Sequence, residues 1–265
     1  MVITKAELPV TPRECREVFR RGEWNGPTTG LCIGYTNANL VIVPESLAYD
    51  FLLFCQRNPK PCPLLEVLEP GDPTVKYLAK GADIRTDLPR YRVFVKGELV
   101  EEPTDVKKYW RDDLVAFLFG CSSTFEGALE KAGIRPTWRE GRRLGAFITN
   151  IQCTPAGRLQ GPMVVSMRPI PAHQVAIVVQ VTARFPTHHG APIHIGDPAA
   201  IGIKDITKPY SGGPSDVRPG EVPVFWACGV TPQTVALESK PELMLTHSPG
   251  HMFLSDIPSD RQAIP

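Results

Sequence analysis

The chain has 265 residues, enough for one large domain or two ordinary ones, and its 42% hydrophobic and 22% charged residues are the balance of a globular protein. A formal net charge of +1 with no long Lys/Arg run leaves nucleic-acid binding without an electrostatic source, and the longest apolar stretches are far too short to span a bilayer. Seven cysteines with no CxxC pair and a polar N-terminus predict a cytoplasmic protein with free thiols, no disulfide framework and no metal.

Thr11-Pro12 ahead of RECREVFRRG supplies an N-cap and a first-turn proline, so a short helix is predicted there, with Gly22 as its stop. NLVIVP (39–44) has the length of a buried strand. ESLAYDFLLFCQRN follows as a helix, with Leu47, Phe51, Phe54 and Cys55 at helical spacing, and PLLEVLEPG (63–71) reads as the next strand, completing a βαβ unit. DLPRYRVFVKGELV predicts a hairpin around Lys96-Gly97, and residues 105–121 a helix with Trp110, Leu114, Phe117 and Leu118 on one side. Ser123 and Glu126 have the spacing of a capping box before a helix ending near Gly133.

GAFITNIQC and GPMVVSMRPI look like strands. PAHQVAIVVQVTARF is assigned to helix by its length, against its β-branched content. VPVFWA (222–227), a helix from Thr231-Pro232 to Ser239, and ELMLTH then form a second βαβ unit. Parallel strands joined by this crossover would bring Cys228-Gly229 and His247–His251 side by side at a carboxyl sheet edge, where open α/β sheets bind ligands. The expected fold class is α/β. A layered α/β/α domain comprises residues 1–125 plus 216–265, and a smaller two-layer α/β domain is inserted at 126–215.

Three clusters could carry chemistry. Residues 184–198 hold His188, His189, His194 and Asp197 among turn formers, which fits either a site or a solvated, capped turn. Their spacing matches no zinc signature. In TrpAlaCysGlyValThrProGln (226–233), Cys228 and Gly229 lie on a turn feeding a helix N-terminus, which can hold an oxyanion or lower a thiol pKa. Cys228 can equally be a small buried strand-end residue, and Thr231 an N-cap whose hydroxyl serves the backbone. In HSPGHMF, His247 and His251 flank a turn at the predicted ligand edge, where a general base fits. Arg57, Arg85, Arg90 and Arg168 are the candidate carboxylate forks, with Arg168 first because it ends an apolar strand beside Pro169. GxGxxG, GxxxxGK[ST], GxSxG and HExxH are all absent.

The segments GYTNANLVIVP, DFLLFCQRNPKPCPLLEV, ADIRTDLPRYRVF, NIQCTPAGRLQGPMVVSMRP, ARFPTHHGAPIHIGDPAAIGI, FWACGVTPQ and SPGHMFLSD, in that order from about Arg20 to Asp256, resemble the YcsI-like hydro-lyase and D-glutamate cyclase family. The family includes a domain of the vertebrate mitochondrial D-glutamate cyclase. The resemblance implies two α/β domains, one inserted in the other, and closure of D-glutamate to 5-oxo-D-proline with loss of water; no cofactor is expected. Such a reaction needs a base, an acid, and cations or dipoles for two carboxylates. His251 or His189 fits as base and acid, with His247 nearby, Arg168 as carboxylate clamp and the amides near Gly229 as oxyanion donors. Cys228 is the alternative, through an acyl intermediate. Asn37 and Arg85, from the motifs GYTNAN and ADIRTD, join His188, His194, Asp197 and Thr231 as substrate-binding candidates. The rival readings are a hydroxy-acid dehydratase and a non-catalytic protein that binds a small carboxylate, either as monomer or as homo-oligomer.

Overall fold

The structure, a computed structural model, describes residues 4–265. In chain order the strands are β1 (Tyr35–Pro44), β2 (Leu64–Val67), β3 (Tyr91–Val95), β4 (Glu98–Glu101), β5 (Leu114–Gly120), β6 (Gly145–Gln152), β7 (Pro162–Pro171), β8 (His194–Ile195), β9 (Ser211–Gly212), β10 (Glu221–Ala227), β11 (Leu243–His247) and β12 (Phe253–Pro258). The helices are α1 (Pro12–Arg20), α2 (Glu45–Arg57), α3 (Glu126–Lys131), α4 (Val175–Ala183) and α5 (Thr231–Ser239). The fold is mixed α/β, built on two sheets. One runs β2-β5-β1-β11-β3-β4, with β12 beside the start of β1, and the other runs β8-β10-β7-β6-β9. All ladders in both sheets are antiparallel.

Local signals explain the half-buried elements. In α1, Thr11 Oγ1 accepts from Glu14 N at 3.4 Å, and the helix buries Cys15, Val18 and Phe19. In α2 the buried positions are Leu47, Phe51, Phe54 and Cys55, and Phe51 meets Phe117 of β5 edge-on at 4.9 Å between centroids. The β3–β4 hairpin turns on Lys96 and Gly97, with φ of 49° and 85°. Both central residues are left-handed, which matches the twist of the flanking strands.

Residues 105–121 are not a helix. A single 3-10 turn at Lys107–Tyr109 leads into β5, whose seven residues are all buried. The strand lies between β1 and β2. Ala116 and Leu118 pack on one side with Leu40 and Ile42, while Val115, Phe117 and Phe119 pack on the other with Val41 and Val43. A strand covered on both faces has no polar alternation, so its apolar run imitates a buried helix.

The two parallel βαβ units are corrected as well. β1 and β2 are separated by β5, which is antiparallel to both. β10 pairs with β7 and β8 in the second sheet, whereas β11 lies between β1 and β3 in the first. The connection through α5 therefore links two sheets. The capping box at Ser123 does not form. A 3-10 turn at Ser122–Phe125 precedes α3, whose start has no side-chain cap, because Glu126 turns instead to Arg168.

The face of β1 that carries Val41 and Val43 is covered by α2 and by Val235 and Ala236 of α5. Side chains alternate along a strand, so Asn37 and Asn39 continue this face at the start of β1, both nearly fully buried. This polar end of an apolar strand is where the two sheets' connecting loops converge.

Candidate active site

Two glycines permit the convergence. Asn39 Nδ2 donates to the Gly120 carbonyl at 2.6 Å, and a Cβ at Gly229 would run into that same amide group. A Cβ at Gly120 would collide with the Thr187 carbonyl. The end of β5 and the turn after β10 thus meet at the Asn39 side chain, and the loop after α4 packs backbone against backbone on Gly120.

The loop after α4 brings two adjacent histidines into this contact. His188 is fully buried, with Nδ1 3.0 Å from Thr187 Oγ1, and its buried Nε2 has no partner among the described residues. Burial drives its pKa down to about 3, helped by the neighbouring His189. His189 has φ of 72° and sets Nδ1 2.7 Å from the Lys60 carbonyl. A carbonyl only accepts, so the ring proton sits on Nδ1 and Nε2 carries a lone pair. Burial lowers the His189 pKa to about 4; the Lys60 bond opposes this and the Arg168 charge adds to it. Both imidazoles are neutral near pH 7.

Arg168 lies on β7 with its guanidinium between the rings of Phe125 and Trp226, 5.2 and 5.3 Å from their centroids. Nη2 donates to Glu126 Oε1 at 2.9 Å and to Ser122 Oγ at 3.1 Å, and Nη1 reaches Ser166 Oγ at 3.5 Å. Its charge is therefore balanced within the protein on one prong, while the other is loosely held. Cys228 is a protonated thiol, its pKa raised to about 12 by burial despite the Val230 N–H. That is the opposite of an activated nucleophile. The N-cap of α5 is Val230, not Thr231. The Thr231 hydroxyl donates to the Cys228 carbonyl at 2.7 Å and accepts from Val164 N at 3.0 Å, tying the Cys228 turn to β7.

β10 and β11 lie in different sheets, and α5, which links them, reaches the end of β11. Gln233 in the first turn of α5 donates Nε2 to the His247 carbonyl at 3.0 Å. His247 Nδ1 lies 3.2 Å from Leu40 N and 3.3 Å from Leu40 O, and burial takes its pKa to about 4. His251 is half-buried at the outer end of the same turn, with Nδ1 2.8 Å from the Pro249 carbonyl, and burial lowers its pKa too.

The histidine-rich loop does not stay together. His194 places Nε2 2.7 Å from the Asp197 carbonyl and its ring 5.7 Å from Phe225, while Asp197 Oδ1 accepts from Ala199 N at 3.0 Å and caps the 3-10 turn Pro198–Ile201. These two shape the edge of the second sheet at β8. Asn37 donates Nδ2 to the Tyr35 carbonyl at 3.1 Å and leaves a buried Oδ1 unpartnered among the described residues. Arg85 is clasped by Asp83 through Nε and Nη2, at 2.9 and 2.8 Å, and lies over Trp110. Sequence reasoning missed Asn39, Lys60, Gly120 and Glu126. The visible signal was two asparagines at alternate positions opening an otherwise apolar strand. Among the described residues no three His, Cys, Asp or Glu side chains gather around a common point that could hold a metal ion, and no helix is long and apolar enough to cross a membrane.

Fold and site together define a mixed α/β protein built on two antiparallel sheets, with neutral buried histidines and a caged arginine. The chain belongs to the D-glutamate cyclase family: the family model of that description matches residues 115–256. Proteins named "Putative hydro-lyase" match along nearly the whole length. One from Stutzerimonas stutzeri is 57% identical, covering 96% of this chain and 97% of its own. Relatives from Thermoanaerobacter sp. and Geobacillus kaustophilus are 58% and 56% identical, covering 95% and 97% of this chain and 96% and 98% of theirs. Among solved structures, a nitrogen repressor-like protein from Methanococcus jannaschii covers 78% of this chain and 80% of its own with a TM-score of 0.38 and 10% identity, a likeness at which function does not carry over.

Proposed function

We propose that this protein is a hydro-lyase acting on a small amino or carboxylic acid, and that its reaction is the closure of D-glutamate to 5-oxo-D-proline with release of water. The observation that carries the reading is His189, whose proton is fixed on Nδ1 by the Lys60 carbonyl while Nε2 stays unprotonated in a buried site near Arg168. In the cyclisation the amine nitrogen attacks the γ-carboxylate carbon, a C–N bond forms, and a C–O bond breaks. The two protons lost by the ammonium group leave with the departing oxygen as water, so no net proton is exchanged. One imidazole can take a proton from the ammonium group and return it to the leaving oxygen.

An imidazole with a pKa near 4 is a weak base in the empty site. A bound dicarboxylate brings negative charge next to it, which raises that pKa towards neutrality, so the base strengthens when substrate arrives. Arg168 offers its loosely held Nη1 to a carboxylate, and the Cys228-Gly229 turn offers backbone dipoles to the oxygen that gains charge. Cys228 serves here as a packing thiol. Incubating the pure protein with D-glutamate, with L-glutamate in parallel, and following 5-oxoproline by chromatography tests the reading. The expected result is product from the D-isomer, and its absence overturns D-glutamate as the substrate.

A further inference from the structure

Arg168 is balanced by Glu126, so a dicarboxylate needs a second cation. The turn that carries His251 supplies one. Arg92 donates Nε to Glu102 at 2.6 Å and Nη1 to Gln233 Oε1 at 2.9 Å, and Ser248 Oγ donates to the same Glu102 oxygen at 3.3 Å. Arg90 has no ion-pair partner among the described residues, and its Nε is buried without a hydrogen bond. Its backbone holds this turn, Ser248 N donating to the Arg90 carbonyl at 3.0 Å. Glu102 thus pairs with Arg92, and the Arg90 guanidinium, near both Glu102 and His251, is left without an ion-pair partner among the described residues.

The location suits a substrate. Arg90, Arg92, Pro249, Gly250 and His251 are all half-buried, so this end opens to solvent. Arg92 lies beside the Tyr210 hydroxyl, and Tyr210 packs in the small apolar group that includes Cys228 and Val230. On the sheet, Arg92 registers with Thr246, and Thr246 with Val41 of β1, two residues from Asn39. The arginines and the Cys228-Gly229 turn therefore lie towards opposite ends of one polar band, two strand spacings of about 4.8 Å apart.

We propose that Arg90, with His251 beside it, forms the subsite that receives the carboxylate of the substrate remote from the bond being broken. This assignment rests on the dicarboxylate reading given above. An unpaired, partly desolvated guanidinium is a strong carboxylate receptor because its fork makes two charge-assisted bonds. Calorimetric titration of the full chain with glutarate, which has both carboxylates but no amine and cannot turn over, separates the two questions. Wild-type protein is expected to bind it, Arg90→Gln to bind at least about tenfold more weakly, and Arg90→Lys to fall in between, with all three unfolding at the same urea midpoint. If the wild type binds neither glutarate nor D-glutamate, the dicarboxylate reading falls and takes this subsite with it. If the wild type binds and Arg90→Gln binds within twofold of it, the reading stands and the subsite is overturned.

Discussion

Arg168 Nη2 and Glu126 Oε1 lie 2.9 Å apart, with each side chain only 5% exposed, so the second sheet is pinned to the start of α3 by a buried ion pair. Burying two charges gains little by itself, whereas removing one partner strands the other in a poorly solvated place.

Glu126→Ala is therefore expected to destabilise the protein by about 3–5 kcal/mol, and a paired Glu126→Leu, Arg168→Met change to recover much of that loss. Urea unfolding of the two variants measures it. A single variant as stable as wild type would show that solvent reaches Arg168.

Gly120 is a second constraint, because a methyl group there meets the Thr187 carbonyl, which cannot swing aside as a side chain would. Gly120→Ala is expected to cost about 1–3 kcal/mol through overpacking and to displace the loop that carries His188 and His189. The check is a fall in both the unfolding midpoint and the rate of product formation. Full activity in a stable variant would remove this loop from the site.

What the sequence made legible follows from burial. α1 was marked by its Thr11-Pro12 start and Gly22 stop, and α2, covered on one side, by the spacing of Leu47, Phe51 and Phe54. β5 is covered on both sides and loses that mark. The strand order was hidden for a related reason: β1 finds β5, β11 and β12 at long range, and no local pattern records such pairings. Within the site, His188, His189 and Cys228 stood out because Gly- and Pro-rich turns surround them. Asn39 and Glu126 did not, since their roles depend on Gly229 and Arg168, distant in the chain.

Low pH should act through the buried histidines. His189 and His247 have pKa values near 4 in the fold, against an ordinary 6.5. Between those limits the unfolded chain binds protons that the folded one refuses. The stability these groups contribute is complete above pH 6.5 and is lost as pH falls towards 4, by about 3 kcal/mol for each histidine. His247→Asn, which keeps a donor and acceptor near Leu40 and cannot titrate there, is expected to flatten the decline. Urea unfolding at intervals from pH 7 to 4.5 reads it, and parallel curves for variant and wild type would sink the assignment.

His189→Asn isolates proton transfer from packing. The residue has φ of 72°, a conformation that asparagine tolerates better than most side chains, so the backbone has no reason to shift. The asparagine amide can still donate to the Lys60 carbonyl in place of Nδ1, but it offers nothing at the position of Nε2. Stability should therefore change little while the rate of 5-oxoproline formation falls by about 10² to 10⁴. Added imidazole should restore part of the lost rate, because it returns the missing base without repairing anything else. A variant that folds normally and turns over at close to the wild-type rate would move the base to another residue.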